Sequence, residues 1–234
     1  SIWKEAEPRK RYIVTADVAA GHEDGDWDSV TVFDEATLEQ VAAWRGKIDQ
    51  VEYADVLLLI SIYYNRAILV PEATGAGQGL IAMLYHTRYY NLYRRKTLNQ
   101  VGQSPTSLLG WSTTSASKNT AVGLAIKAFR EKYIKLRSRN ALDELRALRA
   151  ATIKSDSEGT KMLKIGAPSG MHDDDAMSVI IGIAVAHNSG RLNKKPYEEQ
   201  PDPWDASTWT EEMWDLANEE AIEMEMAASG YIPQ

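Results

Sequence analysis

The chain has 234 residues, 44% of them hydrophobic, with a formal net charge of −7 and no cysteine. That is enough apolar content for a full core, while the missing cysteines exclude disulfides, zinc–thiolate centres and thiol nucleophiles. No apolar run reaches the ~20 residues that cross a bilayer, the opening SIWKEAEPRKR is charged rather than signal-like, and no G-x-x-x-x-G-K-[ST] loop is present for ATP hydrolysis.

Along the chain, RYIVTADVA alternates with period two and puts Ile13, Thr15 and Asp17 on one face of a strand that ends at Asp17. The reach from Ser1 to this strand is short, as expected of a domain cut from a longer polypeptide. A loop, AGHEDGDWD, leads into SVTVFD and LEQVAAWRG, two further strands that complete an antiparallel run of three. VEYADVLLLISIYYN has the length and spacing of a helix, and AILVPE reads as a buried strand with Ile68, Val70 and Glu72 on one face. A Gly-rich turn and a second helix, GLIAMLYHTRY, come next. After a polar stretch the pattern predicts a helix near 117–131, a short strand YIKLRS, a helix ALDELRALRAA and a hairpin around SDSEGT. It closes with the buried helix AMSVIIGIAVA. The order is βββαβα followed by more α and β, which predicts an α/β fold with a mixed sheet flanked by helices on both faces. Residues 1–190 form this domain; 191–234 read as a linker and an acidic tail helix bearing Trp204, Trp209 and Trp214.

The charge is uneven. Residues 191–234 sum to −8, so 1–190 sum to +1, and within them 118–164 carry a local +7. RYYNLYRRK at 88–96 adds four basic residues and no acid, so Arg94, Arg95 and Lys96, with Lys118, Arg137 and Arg139, are candidate phosphate contacts. Solvated helix and strand faces are the plainer alternative.

Asp173, Asp174 and Asp175 open the closing helix. A helix start favours negative charge by about 0.3–1 kcal/mol per acid, which accounts for one aspartate better than three. Because the helix is apolar around nearly its whole circumference, its first turn is pinned inside, where packed carboxylates need a cation. Capping and metal binding both stand at this point. Asp17, Glu72 and the aspartates can converge if the first and fourth strands are neighbours. A carboxylate set with neither Cys nor paired His suits Mg²⁺ or Mn²⁺, and two such ions about 3.5–4 Å apart support phosphodiester hydrolysis.

Three stretches, YIVTADVAAGHEDGDWDSVTVFD, PEATGAGQGLIAML and MHDDDAMSVIIGIAVA, resemble in order and spacing the RNase H-like nuclease domain of tailed-phage large terminase subunits. WSTTSASKN and LDEL extend the likeness over most of 11–188. The resemblance implies a RuvC-like sheet and a two-metal endonuclease that cuts double-stranded viral DNA during genome packaging in the cytoplasm of the infected bacterial host. It further implies a missing N-terminal ATPase domain, with the portal and the small terminase subunit as partners. By position Asp17 would bridge two Mg²⁺ or Mn²⁺ ions, Glu72 would bind one, and Asp174, with Asp173 second, would complete the set. Asp175 would be left as a cap, and His172, with Asp26 and Asp28 ahead of the second strand, would stand behind the ligands.

Three alternatives remain: another RNase H-like enzyme such as a junction resolvase or transposase, a dinucleotide-binding turn at GAGQG, and a non-catalytic DNA- or protein-binding module. The second is weak, because the glycine spacing is wrong and Glu72 stands at the strand end.

Overall fold

Alternation along β1 (Tyr12–Asp17) sets the architecture, with Ile13, Thr15 and Asp17 on one face of a sheet and Tyr12, Val14 and Ala16 on the other. The computed structural model describes residues 1–19, 26–97, 106–154 and 161–190; the expected acidic tail, 191–234, lies outside them. β2 (Asp28–Asp34) and β3 (Gln40–Gly46) continue β1 as an antiparallel meander, and β4 (Ile68–Pro71) joins β1 in parallel. The order is β3-β2-β1-β4, so β1 is interior and β4 is its neighbour. The register aligns Asp17 with Ser29 and Ser29 with Arg45, one row across three strands at one end of the sheet.

Helices cover both faces. α1 (Gln50–Tyr63) and α2 (Gly77–His86) bury Tyr53, Leu57, Leu80 and Leu84 against Val14, Val30 and Val32. On the other face, α3 (Ser115–Arg130) and α4 (Arg139–Ala147) close over α5 (Asp174–Asn188), in which every residue from Asp174 to Ala186 is buried. Each large aliphatic of α5 contributes roughly 1.5–3 kcal/mol. α5 approaches the sheet so closely that a Cβ on Gly182 would stand 2.6 Å from the Phe33 ring. Hydroxyl groups line the seam: Thr15 Oγ1 donates to the Ser178 carbonyl at 2.7 Å, and Ser178 Oγ lies 2.9 Å from Thr31 Oγ1 and 3.2 Å from Ser29 Oγ.

Three expectations need correction. YIKLRS is not a strand: it makes a single bridge, Glu39 to Lys135, and the amides of Arg137 and Ser138 donate to the Gln40 side chain instead of a ladder. ALDELRALRAA divides, because α4 ends at Ala147 and Arg149 begins a ribbon of β7 (Arg149–Lys154) with β8 (Lys161–Gly166). That ribbon is the expected hairpin, although its SDSEGT turn lies outside the described residues. The polar stretch after α2 holds a second ribbon, β5 (Arg94–Thr97) with β6 (Thr106–Leu109), whose charged sequence hid its alternation. No described helix is long and apolar enough to cross a membrane.

Candidate metal centre

Three separate segments meet where β1 ends. Glu72 follows β4 directly, and its amide donates to the Ala16 carbonyl at 2.9 Å, which sets its carboxyl beside Asp17. A Cβ on Gly77 would lie 1.9 Å from the Glu72 carbonyl oxygen, so the GAGQG turn has a glycine there for packing and no dinucleotide is needed to explain it. The third segment is the start of α5, brought against the row Asp17, Ser29 and Arg45 by the hydroxyl seam.

The three aspartates take three different positions. Asp173 is the N-cap residue but makes no side-chain cap, and its Oδ2 instead accepts from Lys118 Nζ at 3.0 Å. Asp174, 4% exposed, accepts from the Trp27 amide at 3.0 Å. Asp175 is not a cap, contrary to expectation: its carboxylate turns to the sheet, taking the Ser29 hydroxyl at 2.6 Å and Arg45 Nη1 at 3.3 Å. The open amides of α5 are served from outside, by Glu144 of α4, whose Oε2 accepts from the Ala176 amide at 3.0 Å. An acid on another helix does the capping, which frees Asp173 and Asp174 to face Asp17.

Crowding shows in the proton affinities. Burial, the Glu72 hydrogen bond and the charges of Glu72, Asp174 and Asp173 push Asp17 well above the usual carboxylate range. Burial also opposes charge on Glu72, but the hydrogen bond from Asp17, the Thr113 and Thr74 hydroxyls and the Lys118 charge outweigh it and hold Glu72 low. The two carboxyls are thus displaced in opposite directions, Asp17 up and Glu72 down. Asp174 is pushed up to about 6, mainly by burial and then by Asp26 and Glu144, against the Trp27 amide and His172.

Both the donor set and its geometry fit a divalent cation. Asp17, Glu72, Asp173 and Asp174 supply hard oxygens, and the raised proton affinity of Asp17 marks a place where positive charge is favoured. Beside Asp174, the buried His172 Nδ1 has no hydrogen-bond partner and faces Asp26 Oδ1 at 3.5 Å and Asp174 Oδ2 at 3.6 Å. These separations are long for hydrogen bonds. They are close to the roughly 3.0–3.4 Å between two ligands that each bind one ion at about 2.1 Å. One ligand atom from each of Asp26, His172 and Asp174 lies within 4.8 Å of the others.

The remaining candidates scatter. Lys118, in the first turn of α3, is inside the centre. Asp28 is not turned to the ligands; its Oδ1 accepts from the Ala19 amide at 3.0 Å and pins the loop after β1. Arg94 is exposed on β5, Lys96 follows in the same strand, and Arg95 donates to the carbonyls of Leu109 and Gly110 in its own ribbon. Arg137 is bound to buried Glu39, near Asp34 at the opposite end of the sheet, and Arg139 is exposed at the start of α4. Sequence reasoning missed Arg45, which joins Glu144 Oε1 at 3.0 Å and Asp175, lies 3.8 Å from Asp174, and stacks 4.8 Å from the Trp27 ring centroid. Counting the meander back from Asp17 would have put it in the same row.

The strand order, the helices on both faces and the acidic strand ends define an RNase H-like α/β domain. No protein-family model matches the sequence, and no curated relative does. Solved structures do: the large terminase nuclease from thermophilic phage G20c superposes with a TM-score of 0.57 at 17% identity, over 80% of this chain and 86% of that one. The same protein with bound magnesium gives 0.58 at 18%, over 78% and 85%. The Thermus phage P74-26 large terminase nuclease domain gives 0.56 at 20%, over 84% and 88%. The chain therefore has the fold of these phage nucleases.

Proposed function

We propose that this chain is the nuclease domain of a phage large terminase, a metal-dependent endonuclease that cuts double-stranded DNA during genome packaging. The observation that carries the reading is the convergence of Asp17, Glu72, Asp173 and Asp174, with Lys118 bound to Asp173, in a fold shared with terminase nucleases of which one is described with bound magnesium. Two ions are the form of the proposal: Asp17, Glu72 and Asp173 would hold one, and Asp174, with Asp26 and His172, the other. Bound there, Mg²⁺ or Mn²⁺ would supply an activated water and charge stabilisation for the departing 3′ oxygen.

The chain's own groups do the rest. Asp17, whose proton affinity is raised by burial and by Glu72, Asp174 and Asp173, is the carboxyl that a bound cation would relieve most. Lys118, bound to Asp173 inside the centre, would offer its ammonium to a substrate phosphate, and Arg45 keeps Asp174 and Asp175 in place from behind. ATPase, portal and small-subunit partners belong to the same proposal.

The test is plasmid cleavage with Mn²⁺, Mg²⁺ or EDTA, comparing the native chain with Asp17→Asn and Asp174→Asn at matched folding. Metal-dependent cutting that both substitutions reduce at least about a hundredfold is expected. No cutting with either metal, together with no Mn²⁺ uptake by calorimetry, would defeat the proposal.

A further inference from the structure

The end of the sheet away from the carboxylates carries a surface that the catalytic reading does not use. Three loops meet there: 7–11 before β1, 64–67 between α1 and β4, and 87–91 after α2. They are tied together by side-chain amides and a phenol. Asn65 Nδ2 donates to the carbonyls of Glu7 and Lys10 at 2.7 and 3.0 Å, Asn91 Nδ2 to Arg66 at 2.9 Å, and the Tyr89 hydroxyl to Ala67 at 2.6 Å. Between them lies a polar cleft of about 220 Å³ lined by Arg11, Glu35, Asn65, Arg66, Tyr90 and Asn91.

The backbone in these loops is unusual. Six non-glycine residues have positive φ among the described residues, and four of them are here: Arg9 (66°), Asn65 (56°), Arg66 (57°) and Arg88 (58°). Asparagine tolerates the left-handed region, whereas arginine gains nothing from it and is disfavoured. All three arginines are exposed, and among the described residues none is paired with a carboxylate, whereas neighbouring Lys10 and Arg11 are matched to Glu7, Asp34 and Glu35. Tyr90 stands beside them at 71% exposure, stacked on Tyr89.

From this arrangement we infer that Arg9, Arg66 and Arg88, with Tyr90, form a second binding surface for the sugar-phosphate backbone of a nucleic acid. Unpaired guanidinium groups on cross-tied loops suit phosphate oxygens, and an exposed tyrosine suits a sugar or base face. The choice of nucleic acid over another polyanion rests on the nuclease reading above. Six residues of β1 at about 3.3 Å each put the surface roughly 17–20 Å from Asp17, or five to six base pairs at about 3.4 Å. A duplex engaged at the carboxylates would reach it only if it extended beyond that span.

The test is the triple variant Arg9→Asn, Arg66→Asn, Arg88→Asn in the full chain, with the matching triple Arg→Lys variant. Asparagine suits the left-handed backbone, so the melting temperature should hold or rise. On a duplex of about 25 base pairs, in an Asp17→Asn background with Mg²⁺, the asparagine triple should bind about tenfold more weakly. The slope of log affinity against log salt should be shallower by about 2–3, and the lysine triple should retain most of both. With Asp17 intact, KM for the long duplex should rise with kcat unchanged, while cleavage of a duplex of about 8 base pairs should not change. An unaltered affinity and salt slope on the long duplex would overturn the inference, as would equal losses on both lengths. A native chain that binds the long duplex through these arginines but never cuts would overturn the nuclease reading and leave the second surface standing.

Discussion

Asp17 illustrates how a residue is shaped by its neighbours before any cation arrives. Burial and three nearby carboxylates raise it, and Asp174 and Asp28 are both displaced from 3.8 to about 6, chiefly by burial. A carboxyl group that titrates higher in the folded state than in the unfolded one binds its proton more tightly when folded. The metal-free fold therefore gains stability as pH falls from above 6 towards 4, and loses it as pH rises through 6. At about 1.4 kcal/mol per pKa unit, Asp174 alone accounts for up to about 3 kcal/mol. In EDTA the protein is expected to melt higher at about pH 5 than at about pH 7.5, with Mn²⁺ restoring the difference at the higher pH. Asp17→Asn should flatten part of this dependence and shrink the gain from metal. A metal-free melting temperature that falls steadily from pH 7.5 to 5 would contradict the argument. Asp17 and Glu72 were legible in the sequence because each terminates an apolar alternating strand, and Lys118 because it opens a helix. Asp175 was misread, because Glu144, distant in sequence, supplies the cap that adjacency assigned to it.

Among the elements, the start of α5 depends on a cation from β3. Arg45, whose side chain is 22% exposed, faces Glu144, Asp175 and Asp174 at once. Replacing it with methionine should cost about 3–5 kcal/mol, since the buried Asp174 and Asp175 and the half-buried Glu144 lose their common partner; adding Asp175→Asn should recover part of that in urea unfolding. A loss below about 1 kcal/mol would mean that solvent already screens these charges. Farther along α5, Gly182→Ala drives a methyl into Phe33 and should destabilise by about 1–3 kcal/mol, with Phe33→Leu relieving it. Helices and central strands could be read from the length and spacing of their apolar residues. The β5–β6 ribbon and the 133–138 segment could not; in the latter the Gln40 side chain, distant in sequence, takes two amides that a strand would have given to a neighbour.

At the scale of the molecule, both hydrophobic clusters are assembled, among the described residues, from chain before position 187. A chain ending at Gly190 should accordingly keep its melting temperature within a few degrees, and the proposed metal-dependent cutting with it. Loss of either would assign the remainder a structural part. The sheet order could be anticipated only in part, because nothing local in AILVPE says that it pairs with β1 in parallel; the acids at both strand ends gave the hint. The hydroxyl seam beneath α5 has a consequence for how such a site can change over time. A helix of valines and isoleucines on an apolar sheet could settle one turn up or down with similar burial, and a turn is about 5.4 Å, enough to carry Asp173 and Asp174 out of reach of Asp17. Thr15, Thr31 and Ser29 accept only one phase of Ser178. Methyl groups around them can be exchanged freely for other methyl groups, while four small hydroxyl side chains that need never touch DNA keep the helix indexed to the carboxylates.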